Sequence, residues 1–319
     1  MRRAADAYRA FDRFQQRHAW LGFPLAVRQK YTEDQGGYLA ATLSYYAFFS
    51  LLPLLLVATT VLGYVLEDRP DLEQRIIDTT LGQIPVIGDQ LQVGSISGNS
   101  VALAIGLVIA LWSGTSVFLA AQNAMNHVWG VPFRKRRDPF RARAVALLLV
   151  LAVGTAALCA TALSFLGTFG SHYQALWKIG SLVLSTVLAF GLFWIAFRSL
   201  TTADVKWKDT WLGALVAAIL YELLQTLGSY YVERVLQRAS LLYGAFALVI
   251  GLLSWIYLGA TLTLYAAEVN VVAFRRLWPR SFSTVVELPA TSADERALTQ
   301  RAQVEERRSD EQINVRWRP

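Results

Sequence analysis

Six stretches of this sequence are each apolar for long enough to cross a lipid bilayer, at about residues 37–66, 100–121, 142–165, 178–197, 211–231 and 243–272. A span needs about 20 predominantly apolar residues. In hydrocarbon every backbone group must be satisfied within the protein, which a helix does alone and a barrel only by closing. Barrel strands alternate polar and apolar residues, whereas these runs are continuous. The expected fold class is therefore all-α, a polytopic membrane helical bundle with six transmembrane helices. Its expected parts are an amphipathic basic N-terminal segment (1–36), the six-helix domain (37–275) and a charged tail (276–319).

The charges orient the bundle. Of the 30 Lys and Arg residues, 25 lie in the N-terminal segment, the second-to-third loop, the fourth-to-fifth loop and the C-terminal side, and 5 in the intervening loops. Cytoplasmic loops carry the Lys/Arg excess, so both termini are expected in the cytoplasm. This placement also accounts for the formal net charge of +7, which would otherwise suggest a nucleic-acid partner. No specific nucleic acid is expected. At 55% hydrophobic residues the chain is too oily for an ordinary soluble domain. The single Cys159 excludes a disulfide framework within one chain. The N-terminus sets Tyr8, Phe11, Phe14 and Trp20 among arginines, and without an apolar core and cleavage site it does not read as a signal peptide. The non-cytoplasmic loop 67–99 is expected to form short interfacial helices. The tail after Pro279 is expected to be a short solvated helix or a disordered extension.

Within the apolar runs, polar residues recur at helical spacing and so share faces. The first run carries Thr42, Tyr45, Tyr46, Ser50 and Pro53, and the second carries Ser113, Ser116, Asn123 and His127 with Asn126 beside them. Pro53 removes the helical donor to the Phe49 carbonyl, so a kink is expected, with the Ser50 hydroxyl at hand for the opened turn. The fifth run carries Glu222, Gln225, Thr226 and Ser229, and the sixth carries Tyr257, Thr261, Tyr265 and Glu268, followed by Asn270. Hydroxyl residues in such seams commonly hold helices together. Glu222 asks for more. An acid at mid-depth costs at least about 2.5 kcal/mol on insertion scales and usually faces a protein interior or a wet cavity. Its expected partners are neutral groups such as Tyr46 or Ser50. Glu268, nearer the end of its run, is expected to pair with Arg275 or Arg276 in a structural role.

Enzyme chemistry finds little support. His18, His127 and His172 stand at three different boundaries, and no HExxH, Cys/His zinc spacing or Gly-rich phosphate loop is present. No catalytic residue, metal or cofactor is expected. The run Arg134, Lys135, Arg136 and Arg137, together with Arg198, is expected to attract anionic lipid headgroups.

Several segments in order resemble the YihY/BrkB family of bacterial inner-membrane proteins, some of which carry the name ribonuclease BN. They are the run from Ala40 to Leu54; Leu111-Trp112-Ser113-Gly114 with Asn123-Ala124-Met125-Asn126 and the Trp129-Gly130-Val131 turn; Tyr221-Glu222; and Tyr243-Gly244-Ala245 leading to Leu253-Ser254-Trp255 and Ala267-Glu268-Val269-Asn270. The closing element departs from the family's Gly-Ala-Glu-Leu-Asn but keeps its Glu and Asn. The resemblance covers residues 20–276 and implies a six-helix protein of the bacterial inner membrane, associated with envelope lipid handling.

The leading expectation is a transporter-like or lipid-handling protein and not an enzyme. Its polar cavity would be built by the first, second, fifth and sixth helices, with Glu222 at the base and Tyr45, Tyr46 and Ser50 opposite. Membrane lipids are then the expected partners. An acid facing an anionic headgroup is unfavourable unless protonated, which points to proton coupling or to a zwitterionic or cationic ligand. The alternatives are a scaffold for an envelope or cytoplasmic protein partner, and a membrane ribonuclease using Asp138, Asp204 and Asp209. Asp209 is expected instead to cap the fifth helix.

Overall fold

A computed structural model describes residues 2–65, 100–166, 174–231, 245–281 and 290–316. The expected helices at 67–99 fall outside these residues. Two N-terminal helices, α1 (Arg2–Arg17) and α2 (Ala19–Glu33), precede six long ones. These are α3 (Gly36–Val65), α4 (Ser100–Val128), α5 (Pro139–Leu166), α6 (Gln174–Leu200), α7 (Trp211–Tyr231) and α8 (Ala245–Arg275), followed by the short α9 (Ser292–Gln303). No strand occurs among the described residues. The described parts of all six apolar stretches are thus helical, and α4 runs on to Val128, seven residues past its expected end near Ala121. Among the described residues, three segments are long and apolar enough to cross a membrane by length and composition: Val183–Leu200, Trp211–Gly228 and Val249–Arg275.

The long helices form a ring in chain order. Each of α3 to α8 packs on the next, α8 closes back onto α3, and α4 reaches across to α6 and α8. α2 lies against α8 and α3. The buried core draws on α2, α3, α4, α6, α7 and α8, with Ala40, Ala124, Met125, Ala214, Leu264 and Val271 among its members. Small residues at these contacts let helix backbones approach closely. Gly213 is the sharpest case, because a Cβ there would run into the Ala266 carbonyl and the Asn270 side chain.

The tail is not solvated all round. α9 is capped by Thr291, whose Oγ1 accepts from the Asp294 amide at 3.2 Å. One face of it is buried through Ala293, Ala297 and Gln300. Further along, the Phe133 amide donates to the Val304 carbonyl and the Arg134 amide to the Glu306 carbonyl, both at 3.2 Å. The expected short helix is present, but one face of it is covered, because the tail presents small and polar groups that fit the bundle's basic end.

Candidate functional site

The basic end of the ring is tied together by side chains that accept backbone donors at helix ends. Asn126, at the end of α4, accepts on Oδ1 from the Thr202 amide at 2.8 Å and from the Thr202 hydroxyl at 3.1 Å. Asn270, near the end of α8, accepts on Oδ1 from the Gly213 amide at 2.6 Å. That amide is one of the first-turn donors of α7, which have no partner within their own helix. Both asparagines therefore fasten the frame. Gly130 ends α4 with φ +61°, and the Val131 amide donates back to the Asn126 carbonyl at 2.8 Å. This is a glycine helix stop. It leaves the Trp129 carbonyl to receive Arg275 Nη2 at 2.8 Å and Gln300 Nε2 at 2.9 Å.

Inside that frame lies a buried charge cluster. Lys30 of α2 donates through Nζ to Asp34 on its own helix end and to the Val128 carbonyl of α4 at 3.0 Å. Its Nζ also lies 3.6 Å from Glu268 Oε2 of α8. The three side chains are 5%, 7% and 1% exposed, so two acids and one base share a dry site. A separation of 3.6 Å is an ion pair but too long for a hydrogen bond. Both Glu268 oxygens lack a hydrogen-bond partner among the described residues, as does Asn270 Nδ2. Glu268 thus meets Lys30, and not Arg275 or Arg276 as expected. Arg275 is occupied at Trp129, and Arg276 turns away in the left-handed region at φ 53°.

A cleft of about 560 Å³ reaches Lys30 and Asp34 of this cluster but not Glu268, with His127 beside them on the bundle side and Ala297, Gln300 and Arg301 of α9 on the other. The tail therefore forms one wall. It is latched by Arg280, which donates to both carboxylate oxygens of Glu33 at 2.8 Å and to Asp294 Oδ1 at 3.0 Å. Burial opposes the Arg280 charge, yet Glu33 and Asp294 hold its pKa above the ordinary value. Burial likewise opposes the Asp294 carboxylate, but hydrogen bonds from Ser281, Thr291 and Arg280 keep it below the usual range. A second tie is the ion pair of Arg134 with Glu306 at 2.7 Å.

Glu222 occupies a different setting. It is half-buried between α6 and α7, and its Oε1 accepts from Ser185 Oγ at 2.6 Å. The expected partners lie elsewhere. The Ser50 hydroxyl donates to the Ala47 carbonyl of its own helix at 2.9 Å and not to Phe49, while α3 runs unbroken past Pro53. Tyr45 and Tyr46 pack edge-on with centroids 5.4 Å apart and are exposed. Thr42, Ser116 and Thr226 also donate to carbonyls of their own helices. Such back-bonding satisfies a hydroxyl without joining helices, so these three hydroxyls are not interhelical glue. Gln225 Nε2 reaches the Tyr221 hydroxyl at 3.1 Å, Ser113 is half-buried and Asn123 is exposed.

The basic loop divides by use. Arg134 is paired, Arg136 lies over the Phe133 ring at 4.1 Å, and Lys135 is exposed. Arg137 bridges Gln122 Oε1 at 3.3 Å and the Thr201 carbonyl at 3.2 Å. The loop acids serve local structure. Asp138 pairs with Arg141 at 3.2 Å, and Asp209 closes the turn at Lys206, leaving Thr210 to receive the first-turn amide of Ala214. Among the described residues no group of His, Cys, Asp and Glu could hold a metal ion.

Similarity to known proteins follows the same span of chain. A family model described as Virulence factor BrkB matches residues 27–281. A UPF0761 membrane protein of Psychrobacter sp. is 28% identical over 283 residues, covering 82% of this chain and 51% of the relative. The ribonuclease-like protein YfkH of Bacillus subtilis is 26% identical over 276 residues, covering 80% and 96%. The inner membrane protein YhjD of Escherichia coli is 23% identical over 274 residues, covering 79% and 81%. The chain spans only 51% and 62% of the Psychrobacter and Methylibium petroleiphilum relatives. No solved structure matches it. The family model covers most of the chain and includes both Glu222 and Glu268, and the protein belongs to the BrkB virulence-factor family of membrane proteins.

Proposed function

We propose that this protein is a transporter-like carrier of lipids or related amphiphiles, and not an enzyme. In this reading its six long helices span the inner membrane of a bacterium, and both termini lie in the cytoplasm. The observation that carries it is the Lys30–Asp34–Glu268 cluster beneath an open cleft. Replacing buried ion pairs by apolar residues is often neutral or stabilising, so stability alone gives little reason to bury three charges here. Lys30 and Asp34 line the cleft and are the members of the cluster that an entering ligand would meet, with Glu268 buried behind them. Glu222, on α7 and bonded to Ser185 of α6, supplies a second ionisable group further along the bundle. Gly213 sits level with Asn270, and nine residues separate it from Glu222, which at 1.5 Å per residue is roughly 13 Å. A headgroup could pass between these two levels while its acyl chains stay in the bilayer.

The scaffold alternative gains from the docked tail, which offers an ordered surface at the basic end. The ribonuclease alternative rests on the name of the Bacillus relative. Liposomes containing the purified chain test the carrier reading through transbilayer movement of labelled phospholipid. Faster movement than in protein-free vesicles, reduced by Glu222→Gln, is the expected result. Movement no faster than in empty vesicles, with the protein folded, would reject an autonomous lipid carrier.

A further inference from the structure

Arg137 and Arg198 are two of several guanidinium groups at the basic end, Arg136 and Arg275 among them, that enter no ion pair among the described residues. Arg134 is paired with Glu306, Arg141 with Asp138 and Arg280 with Glu33 and Asp294. Arg137 donates only to neutral acceptors, the Gln122 amide oxygen and the Thr201 carbonyl. Arg198 Nε is buried with no hydrogen-bond partner among the described residues. Arg137 reaches the Thr201 carbonyl, three residues past Arg198, and burial, and then the Arg198 charge, lower its pKa from the ordinary value.

The frame holds them in place. Gln122 Nε2 donates to the Ala142 carbonyl of α5 at 2.8 Å, and Asn126 fixes the Thr201–Thr202 turn that follows Arg198. Two half-buried guanidinium groups near one helix end repel one another, and Arg198 Nε has no acceptor among the described residues. A phosphate group would resolve both conditions, because guanidinium forks match its oxygens and its charge.

The structure assigns to Arg137 and Arg198 a binding site for a phosphate group at the membrane boundary of the α4–α5 loop and the end of α6. The ligand chemistry is a phosphate monoester or diester, carried by an anionic lipid headgroup or free in solution. The assignment deepens the carrier reading by naming a headgroup chemistry, but it is tested by binding alone.

The purified full chain in neutral detergent is given labelled phosphatidylglycerol or phosphatidylcholine, with inorganic phosphate as competitor. The wild type is expected to retain phosphatidylglycerol preferentially. Arg137→Gln and Arg198→Gln should each weaken retention about tenfold, the loss of one charge-assisted contact. Lys135→Gln, an exposed base in the same loop, should change it little. Displacement by millimolar-range inorganic phosphate identifies a soluble phosphate ligand, and retention against it identifies a headgroup. Equal loss in Lys135→Gln, or no loss in either arginine variant, overturns the site in favour of diffuse surface charge. Thermal unfolding gives an independent reading. Without anionic lipid, Arg198→Gln should unfold at a higher temperature than wild type because the repulsion is relieved, and added phosphatidylglycerol should reverse that order. A lower unfolding temperature under both conditions would mark Arg198 as structural and overturn the proposal.

Discussion

Glu222 and Glu268 are both acids on long apolar helices, but their surroundings differ in kind. Glu222 is half-buried and has a neutral hydroxyl partner across one helix contact. Glu268 is fully buried and depends on a lysine that is 238 residues away in sequence. The Lys30 cluster sets two acids against one base, so losing the base strands both acids, whereas losing one acid leaves a pair. The comparison separates an acid held by one neutral partner from a set of three side chains that depend on one another.

The largest effect should come from Lys30→Met, which leaves Asp34 and Glu268 buried without their base. Breaking a buried pair typically costs about 3–5 kcal/mol, and a thermal-unfolding series in detergent should show a loss of that order. An unchanged midpoint would mean that the cluster is less dry than its geometry indicates. Next is Arg280→Gln, which removes the latch between α2 and α9 and should cost about 2–3 kcal/mol. Its signature is rapid proteolytic trimming of the tail at neutral pH, and trimming at the wild-type rate would show that Glu306 and Gln300 suffice.

Acid offers a gentler way to loosen the same latch. The Asp294 pKa is depressed in the folded state, so its contribution is complete above the unfolded value of about 3.9 and disappears as pH falls through the folded one. Tail protection should therefore be flat from neutrality to about pH 4 and decline only below it. Loss of protection already near pH 6 would point to another titrating group. The smallest stability effect belongs to Glu222→Gln. Its amide oxygen can still accept from Ser185, so the change should stay within about 1 kcal/mol, and a larger shift would show that the carboxylate is a structural charge.

The helices were legible because apolar runs of bilayer length leave few alternatives, and α9 carries a readable Thr291-to-Asp294 cap. Glu222 stood out as a lone acid in such a run. Its partner did not, because a serine in an apolar helix is ordinary and Ser185 belongs to a stretch with no evident polar seam. Lys30 was read as one more base of the positive side. Its burial had a faint signal, since Ala26, Lys30 and Asp34 follow at four-residue intervals on one face of α2. What no local pattern carries is that this face meets Glu268, a matter of ring closure and not of spacing. The tail illustrates the same limit: its charge suggested solvation, while Arg280 and Glu33 instead form a lock 247 residues apart.

The central claim is that the charge cluster at the cleft serves passage of a ligand and not the fold. The triple variant Lys30→Met, Asp34→Asn and Glu268→Gln removes all the charges together and so avoids stranding any of them. Its transbilayer movement of labelled phospholipid in liposomes should be measured beside its thermal midpoint. A midpoint near that of the wild type with movement reduced to the protein-free rate is the predicted result. Wild-type movement in a stable triple variant would contradict the account.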